Sequence, residues 1–542
     1  VHVLRVCEEN DGTEGSPRVG IEGMVSPMES GHLGEAKAAG IRWWPAALIL
    51  GLCGGAVGVV WMDPTRSHQQ RNLTVLATVI IAAPLLLVWW GHLSGVSLRR
   101  RLAGVAGVFA GVGLFFGLFQ ISGVSGDLRP IFRFRWAGLT AGWMGGTEPR
   151  VVGPVAKAVV RADYPQFLGP QRDGVIRGVR LDPDWKTNGP VELWRRPVGA
   201  AWSGFVVVGD RAYTQEQDGA EEAVSAFDLA TGRLVWAVRT PGRYATTIAG
   251  EGPRSTPLVV GGRVYALGAT GTFQCLDVLD GRVVWRVSVR ELAKCGVPEW
   301  GFASSPLWLD GRVAVLVGGE KAVWVFRPED GSVVWSEGEG GANYGSLQVM
   351  ELGGVRQLVY FAGRAVVGMD TGTGKELWRH PFGTGMPLVA APVVLGTNRF
   401  VVSAGYGVGA EGVEWTEKGM RSLWVSKRLK AKFSNPVAFS GIVCGLDDGI
   451  LAAIDGETGA GLWKEGRWGH GQGLRVGEHY LLMAESGELV LLRPDRQGPG
   501  ELGRMRVFDA KTWNPIALAG DRLLVRNDRE AVCLKLGILE GN

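Results

Sequence analysis

Two kinds of apolar pattern divide the chain. Near its start three uninterrupted runs, Trp43 to Met62, Leu73 to Gly91 and Leu102 to Ile121, each hold roughly 20 residues, enough for a helix to cross a bilayer. Beyond about residue 190 the apolar stretches are short, as in Val224-Ser225-Ala226-Phe227, and Gly, Asp and Asn punctuate them. That second pattern predicts strands joined by tight turns.

A nine-residue unit, Asp-x-x-x-Gly-x-x-x-Trp, recurs within the strand-rich part: Asp228 to Trp236, Asp277 to Trp285, Asp370 to Trp378 and Asp455 to Trp463, with a degenerate copy from Arg327 to Trp335. The Asp ends a strand, where its carboxylate caps a turn. The Gly supplies the positive φ that closes the hairpin. The Trp, on the returning strand, is large enough to bridge to a neighbouring sheet. Trp194 and Trp424 keep the rhythm without the full unit, so Trp194, Trp236, Trp285, Trp335, Trp378, Trp424 and Trp463 follow one another at gaps of 42, 49, 50, 43, 46 and 39 residues. Such gaps fit four-stranded propeller blades of roughly 40 to 50 residues.

Gly471 to Arg506 supplies another blade without a Trp, its last strand passing through Leu502. Ile516 to Ala519, Arg522 to Val525 and Ala531 to Leu536 give only three strands of a final one. The strand around Trp194 has no partners before it and is expected to complete that blade, closing the ring and removing exposed sheet edges. The prediction is an all-β, eight-bladed β-propeller, with seven blades as the alternative, preceded by three transmembrane α-helices.

Four segments follow: 1–41, a disordered cytoplasmic N-terminus in which Met24 or Met28 is a possible start; 42–122, the three-helix anchor; 123–190, a linker and propeller leader; and 191–537, the propeller. Trp43, Trp44, Trp61, Trp89 and Trp90 stand at span ends, where aromatic rings favour the interface. Arg99-Arg100-Arg101 between the second and third spans is expected in the cytoplasm, which puts the propeller outside it. Arg129, Arg133 and Arg135 after the third span pull against that assignment.

Among 542 residues, 84 Gly and 26 Pro agree with a turn-rich chain. A net charge of +4 and no basic, aromatic-interleaved stripe in the propeller exclude a nucleic-acid surface. Six Cys without C-x-x-C carry no zinc or redox pattern; Cys275 and Cys295 are a pair an oxidising compartment could join, with free thiols the alternative.

The stretch Ala-Phe-Asp-Leu-Ala-Thr-Gly-Arg-Leu-Val-Trp at 226–236 and its copies resemble the tryptophan-docking repeats of pyrroloquinoline quinone (PQQ) propellers, over about residues 164 to 537. That superfamily includes quinone-dependent alcohol dehydrogenases, non-catalytic scaffolds such as BamB, and membrane-anchored bacterial proteins. The segment Tyr164-Pro-Gln-Phe-Leu-Gly-Pro-Gln-Arg-Asp-Gly174 and the loops Gly252 to Pro257, Trp300 to Pro306 and Ser403 to Gly409 are similar to the membrane-anchored group, which is abundant in planctomycetes. The resemblance implies a bacterial inner-membrane protein with a periplasmic, BamB-like propeller.

Quinone chemistry needs a carboxylate base and a hard cation on oxygen ligands. The dehydrogenases also carry an adjacent Cys-Cys pair, which this chain lacks. The repeated Asp residues recur at equivalent turns and read as architecture. Gly407-Val-Gly-Ala-Glu-Gly412 matches a dinucleotide fingerprint, but no helix pattern follows, so it reads as a hairpin loop.

A second recurrence lies just before the inner strands: Ser255-Thr256-Pro257, Ser304-Ser305-Pro306, Gly345-Ser346, Ser434-Asn435-Pro436, Gly471-Gln472-Gly473 and Trp513-Asn514-Pro515. In a propeller these positions ring one mouth of the channel, although Ser, Asn and Pro also simply begin strands. Larger neighbours on the same loops, Tyr244, Arg254, Trp300, Tyr344, Lys430, Lys432, Trp468, His470, Trp513 and Asn514, are the expected ligand-binding residues, mixing aromatic platforms with cations. No catalytic residue and no metal ligand is expected. The leading expectation is a non-catalytic binding or scaffold module with a protein partner or small ligand and no cofactor. The alternative is a quinoprotein dehydrogenase carrying PQQ and calcium. Transport through the spans is a third reading, opposed by their lack of ionisable residues near a midpoint.

Overall fold

In a computed structural model, residues 41–63, 66–138, 149–151, 162–340 and 344–539 are described. The N-terminal stretch expected to be disordered lies almost wholly outside them. Eight antiparallel blades form the ring, so the count is eight and not seven. The first runs outward through Val206–Val208, Arg211–Asp218, Glu221–Asp228 and Leu234–Pro241. The last takes Ala517–Ala519, Arg522–Arg526 and Glu530–Lys535 from the C-terminal end and Val191–Pro197 from before the first blade, with Cys533 opposite Trp194. Closure by the Trp194 strand is therefore observed. It ties together strands more than 330 residues apart, and no blade edge is left unpaired where the ring begins.

The repeat performs one local task in its four full copies, and the degenerate copy, with Arg327 in place of the Asp, keeps the Gly and the Trp. The Asp carboxylate accepts hydrogen bonds from the turn, as at Asp370, whose Oδ1 takes the Thr373 N–H at 2.8 Å and its hydroxyl at 2.7 Å. The Gly residues at 232, 281, 331, 374 and 459 all have φ between 71° and 75°. They are also where the preceding blade docks. A Cβ at Gly232, Gly281, Gly331 or Gly374 would lie 2.6–2.8 Å from the ring of Trp194, Trp236, Trp285 or Trp335. The indole N–H then donates across the blade boundary, from Trp194 to the Leu229 carbonyl at 2.9 Å and from Trp285 to that of Pro328 at 2.9 Å. Aromatic burial thus joins one sheet to the next, and at Trp194, Trp236, Trp285 and Trp463 an indole N–H donated to a carbonyl of the following blade adds to it.

The seventh blade, Gln472–Val476 to Glu501–Arg506, has Gly503 at the position opposite its third strand that the Trp occupies elsewhere. Trp185 from the leader fills the space, since a Cβ on Gly503 would come within 2.6 Å of the Trp185 Cβ. Gly407 falls in a turn between the strands Arg399–Ala404 and Gly409–Thr416, and no helix follows, as expected. Cys275 and Cys295 are both free.

Helices α1 (Trp44–Met62), α2 (His68–Val88, continued by a wider turn over Trp89–Leu93) and α3 (Leu98–Leu118) are long and apolar enough to cross a membrane, and their apolar side chains are largely exposed. Ser67 caps α2 reciprocally with Gln70, at 3.1 and 3.3 Å. The third apolar run, expected to reach Ile121, leaves the helix at Leu118. Arg135 Nε donates to the Phe116 carbonyl at 2.8 Å, and Phe119–Val124 pairs with Pro130–Phe134 in a hairpin. A cation on a terminal carbonyl is a favourable helix stop. The turn of this hairpin and the first turns of α2 meet the propeller, through Gly126 to Glu485 and Gln69 to Lys432.

Within 162–190 the leader runs across the other end of the channel. Tyr164 bridges to Val207 and Val175–Ile176 adds a parallel strand to Gln472–Val476. Between them Arg172, with φ 59°, reaches into the channel.

Candidate functional site

The small polar residues that precede the inner strands form a belt around the channel. Thr256 Oγ1 accepts the Gly204 N–H, Ser305 Oγ the Thr256 N–H and Ser346 Oγ the Ser305 N–H, each at 3.0 Å. Asn435 Oδ1 takes the Ala391 N–H at 2.8 Å, and Asn514 Nδ2 donates to the carbonyls of Ala201 and Ser203, both at 2.9 Å. Each link satisfies a buried backbone group across a blade boundary. Asn514 is part of this belt and does not face a ligand space.

Above the belt lies a cavity of about 300 Å³. Of the expected site residues, Arg254, Trp300, Tyr344 and Trp513 line it together, as do Trp202 and Phe433. Trp300 lies against Tyr344 with ring centroids 4.7 Å apart, and its backbone N–H donates to the Tyr344 hydroxyl at 3.3 Å. Tyr244 sits behind, its ring 4.3 Å from the Arg254 guanidinium and its hydroxyl donating to the Glu299 carbonyl. Burial holds Arg254 down to about 10 and pushes the Tyr344 hydroxyl up.

The other expected residues are committed elsewhere. Lys430 pairs with Asp447 at 2.8 Å, and Lys464 reaches the same carboxylate at 2.8 Å. Lys432 is buried; its ammonium donates to Gln69 Oε1 on α2 at 2.9 Å and stands 3.8 Å from Asp448. Trp468 lies outside the cavity beneath Arg504. His470 is fully buried, its ring nitrogen Nε2 3.4 Å from Asp127 Oδ1.

Asp127 belongs to the turn of the membrane-proximal hairpin, and sequence reasoning missed that this turn closes the mouth. Gly126 N–H donates to Glu485 at 2.8 Å, Arg467 pairs with Asp127 at 3.1 Å, and Asn72 on α2 donates to the Asp127 carbonyl at 2.8 Å. A Cβ at Gly126 would run into the His470 ring, so only glycine permits this approach. Burial works to raise the Asp127 carboxyl, yet His470, Lys432 and Arg467 together hold it below the usual range. Trp202 and Lys511 were also missed. Both precede inner strands: extending the loop rule to the first blade would have found Trp202, and reading two residues further back from Trp513 would have found Lys511.

A ring of eight sheets joined by docking tryptophans around a central channel defines a PQQ-like β-propeller. The family model described as outer membrane protein assembly factor BamB matches residues 187–299 and 220–465, a span of just over half the sequence, and the chain belongs to that family. No curated protein matches. Among solved structures, BamB from Moraxella catarrhalis is 14% identical, with 64% of this chain and 99% of that one covered and a TM-score of 0.49. Quinohemoprotein alcohol dehydrogenase from Comamonas testosteroni is 12% identical, with 70% and 82% covered and a TM-score of 0.51. A europium-containing methanol dehydrogenase is 12% identical, with 67% and 89% covered and a TM-score of 0.50. At such identities the likeness is one of fold.

The cavity residues do not fit a quinone held on a hard cation. Glu299 is the one carboxylate on the cavity wall, whereas such a cation needs six or more oxygen ligands. Asn435 and Gln472 already serve the belt, the latter through the Phe433 carbonyl at 2.7 Å. Among the described residues no group of three His, Cys, Asp or Glu side chains is placed to hold a metal.

Proposed function

We propose that the protein is a membrane-tethered propeller that binds a ligand or protein partner at its membrane-proximal mouth and does not catalyse a reaction. The observation that carries this reading is the cavity itself, with Trp202, Trp300, Phe433, Trp513 and the Arg254 guanidinium converging from several blades and, among the described residues, no group of three His, Cys, Asp or Glu side chains placed to hold a metal. The three apolar helices associate the chain with a membrane. Arg99, Arg100 and Arg101 in the first turn of α3 favour the cytoplasmic membrane with the propeller on the periplasmic side.

A photo-crosslinking side chain at Trp300 in native membranes is expected to capture a discrete partner or ligand, and the same group at the exposed Val355, in the hairpin joining the first two strands of the fourth blade, is not. Dye reduction by the purified chain reconstituted with PQQ and calcium would overturn the non-catalytic reading. For orientation, an impermeant thiol reagent added to intact spheroplasts should label Val355→Cys and leave Arg100→Cys untouched.

A further inference from the structure

The cavity wall is built mainly by the propeller and the membrane-proximal hairpin, with Phe167 of the leader and Gln69 of α2 completing it. The propeller contributes Trp202, Trp300, Phe433 and Trp513, and the membrane-proximal segment contributes Val124 and Leu128. This lining is overwhelmingly apolar, yet two cations face its rim. Arg254 donates to the carbonyls of Ala249 at 2.6 Å, Gly250 at 3.1 Å and Gly252. Lys511 donates to the Val124 carbonyl at 3.1 Å, with its ammonium 3.9 Å from the Trp513 centroid and 4.7 Å from that of Trp202.

Neither forms an ion pair among the described residues. Three other cations around the mouth do: Lys430 with Asp447, Lys432 with Asp448, Arg467 with Asp127. Nearby carboxylates are engaged as well. Glu485 holds the N–H groups of Gly126 and His470, and Glu222 holds those of Ala269 and the Thr270 hydroxyl. Glu299 on the wall is exposed to solvent. Two half-buried positive charges beside an apolar space are costly alone and are relieved by an anion brought in with an apolar body. The hairpin that closes the space exposes Ile121, Phe132 and Phe134 at the end of α3, where an amphipathic molecule leaving a bilayer would first meet the protein.

We propose that the cavity binds an amphipathic monoanion, one carboxylate or phosphate head on a long apolar body, received from the bilayer side beneath the Ser125–Arg129 turn. This rests on the binding reading above and names the class of ligand. The head is met by Arg254 and Lys511; the body lies among Trp202, Trp300, Phe433 and Leu128. Because Val124 and Leu128 are part of the wall, the site exists only while the hairpin is docked.

The test uses the full chain in nanodiscs of zwitterionic lipid, titrated with sodium oleate and with oleyl alcohol and read by native mass spectrometry. Oleate is expected at one per chain and about tenfold or more tighter than the alcohol. Arg254→Gln and Lys511→Met should each erode that preference, and Leu128→Trp, which fills the cavity, should abolish binding. If Leu128→Trp unfolds the chain, Ile248→Trp fills the same space from the propeller side. Phosphatidylglycerol added to the discs separates the two sources: displacement of oleate assigns the site to a resident lipid, and retention assigns it to a free acid. Equal binding of acid and alcohol, or binding that survives both tryptophan variants, overturns the proposal. If oleate fails to bind while crosslinking at Trp300 still captures a discrete partner, the anion proposal falls and the binding module stands; loss of both removes both.

Discussion

The two mouths of the channel are each covered by a segment that precedes the propeller, yet they are filled in opposite ways. At the far mouth Arg172 of the leader donates to the carbonyls of Leu347 at 2.8 Å, Pro306 at 2.9 Å and Ser305 at 2.6 Å, so a single side chain ties the third and fourth blades. It is buried without a carboxylate partner among the described residues, and burial alone lowers it to about 9. At the near mouth the hairpin turn is held by charges at its edge and leaves an apolar space beneath. One cover completes the core. The other is a lid fastened by polar contacts over a cavity, which is how a scaffold keeps a site accessible without loosening the fold.

Arg172→Met should show the largest effect, because three buried carbonyls lose their donor. A loss of about 3 kcal/mol or more is expected, read from the urea midpoint in detergent by tryptophan fluorescence, with Arg172→Lys recovering only part. Gly126→Val drives a side chain into His470 and is expected to cost about 1–3 kcal/mol of lid docking. Tryptic cleavage after Arg129 should then appear while the propeller midpoint stays within error of the parent. If the midpoint falls as for Arg172, the lid belongs to the core and the two mouths are not different in kind.

Asp127→Asn removes the buried charge that Arg467 and His470 face, so a loss of about 1.5 kcal/mol of lid docking is expected. The smallest effect concerns Lys511, which burial holds down to about 8. Its folded pKa lies below the unfolded value, so the unfolded chain binds more protons between the two. Stability should therefore rise as pH increases from about 8 towards 10.5, the ordinary lysine value, and remain at its lower level below 8. Urea midpoints at pH 7 and pH 10 should diverge less in Lys511→Met than in the parent, and an equal divergence would show that another group carries it.

Much of this molecule is legible residue by residue. The Asp370 turn, the positive φ at Gly374 and the outer-strand Trp378 follow from spacing alone, because each depends on neighbours within nine residues. The second duty of those glycines, making room for the indole of the preceding blade, is visible only across the sheet boundary. Of the expected site residues, Arg254, Trp300, Tyr344 and Trp513 converge on one space. Lys430, Lys432 and His470 share their loops but are taken up by Asp447, Gln69 and Asp127, partners from 17 to more than 300 residues away that no local pattern announces.

By itself, then, the sequence determined a propeller of seven or eight blades, its closure by the Trp194 strand and the three membrane-length helices, and the structure settled the count at eight. Each is written as a period or a run, and a repeated local signal survives the loss of any one copy. Tertiary structure alone decided that Arg172 fills one mouth, that Trp185 stands in for the seventh blade's missing tryptophan, and that the Gly126-Asp127 turn roofs the other mouth. These are single contacts between segments far apart in the chain, and a contact made once leaves no period to read.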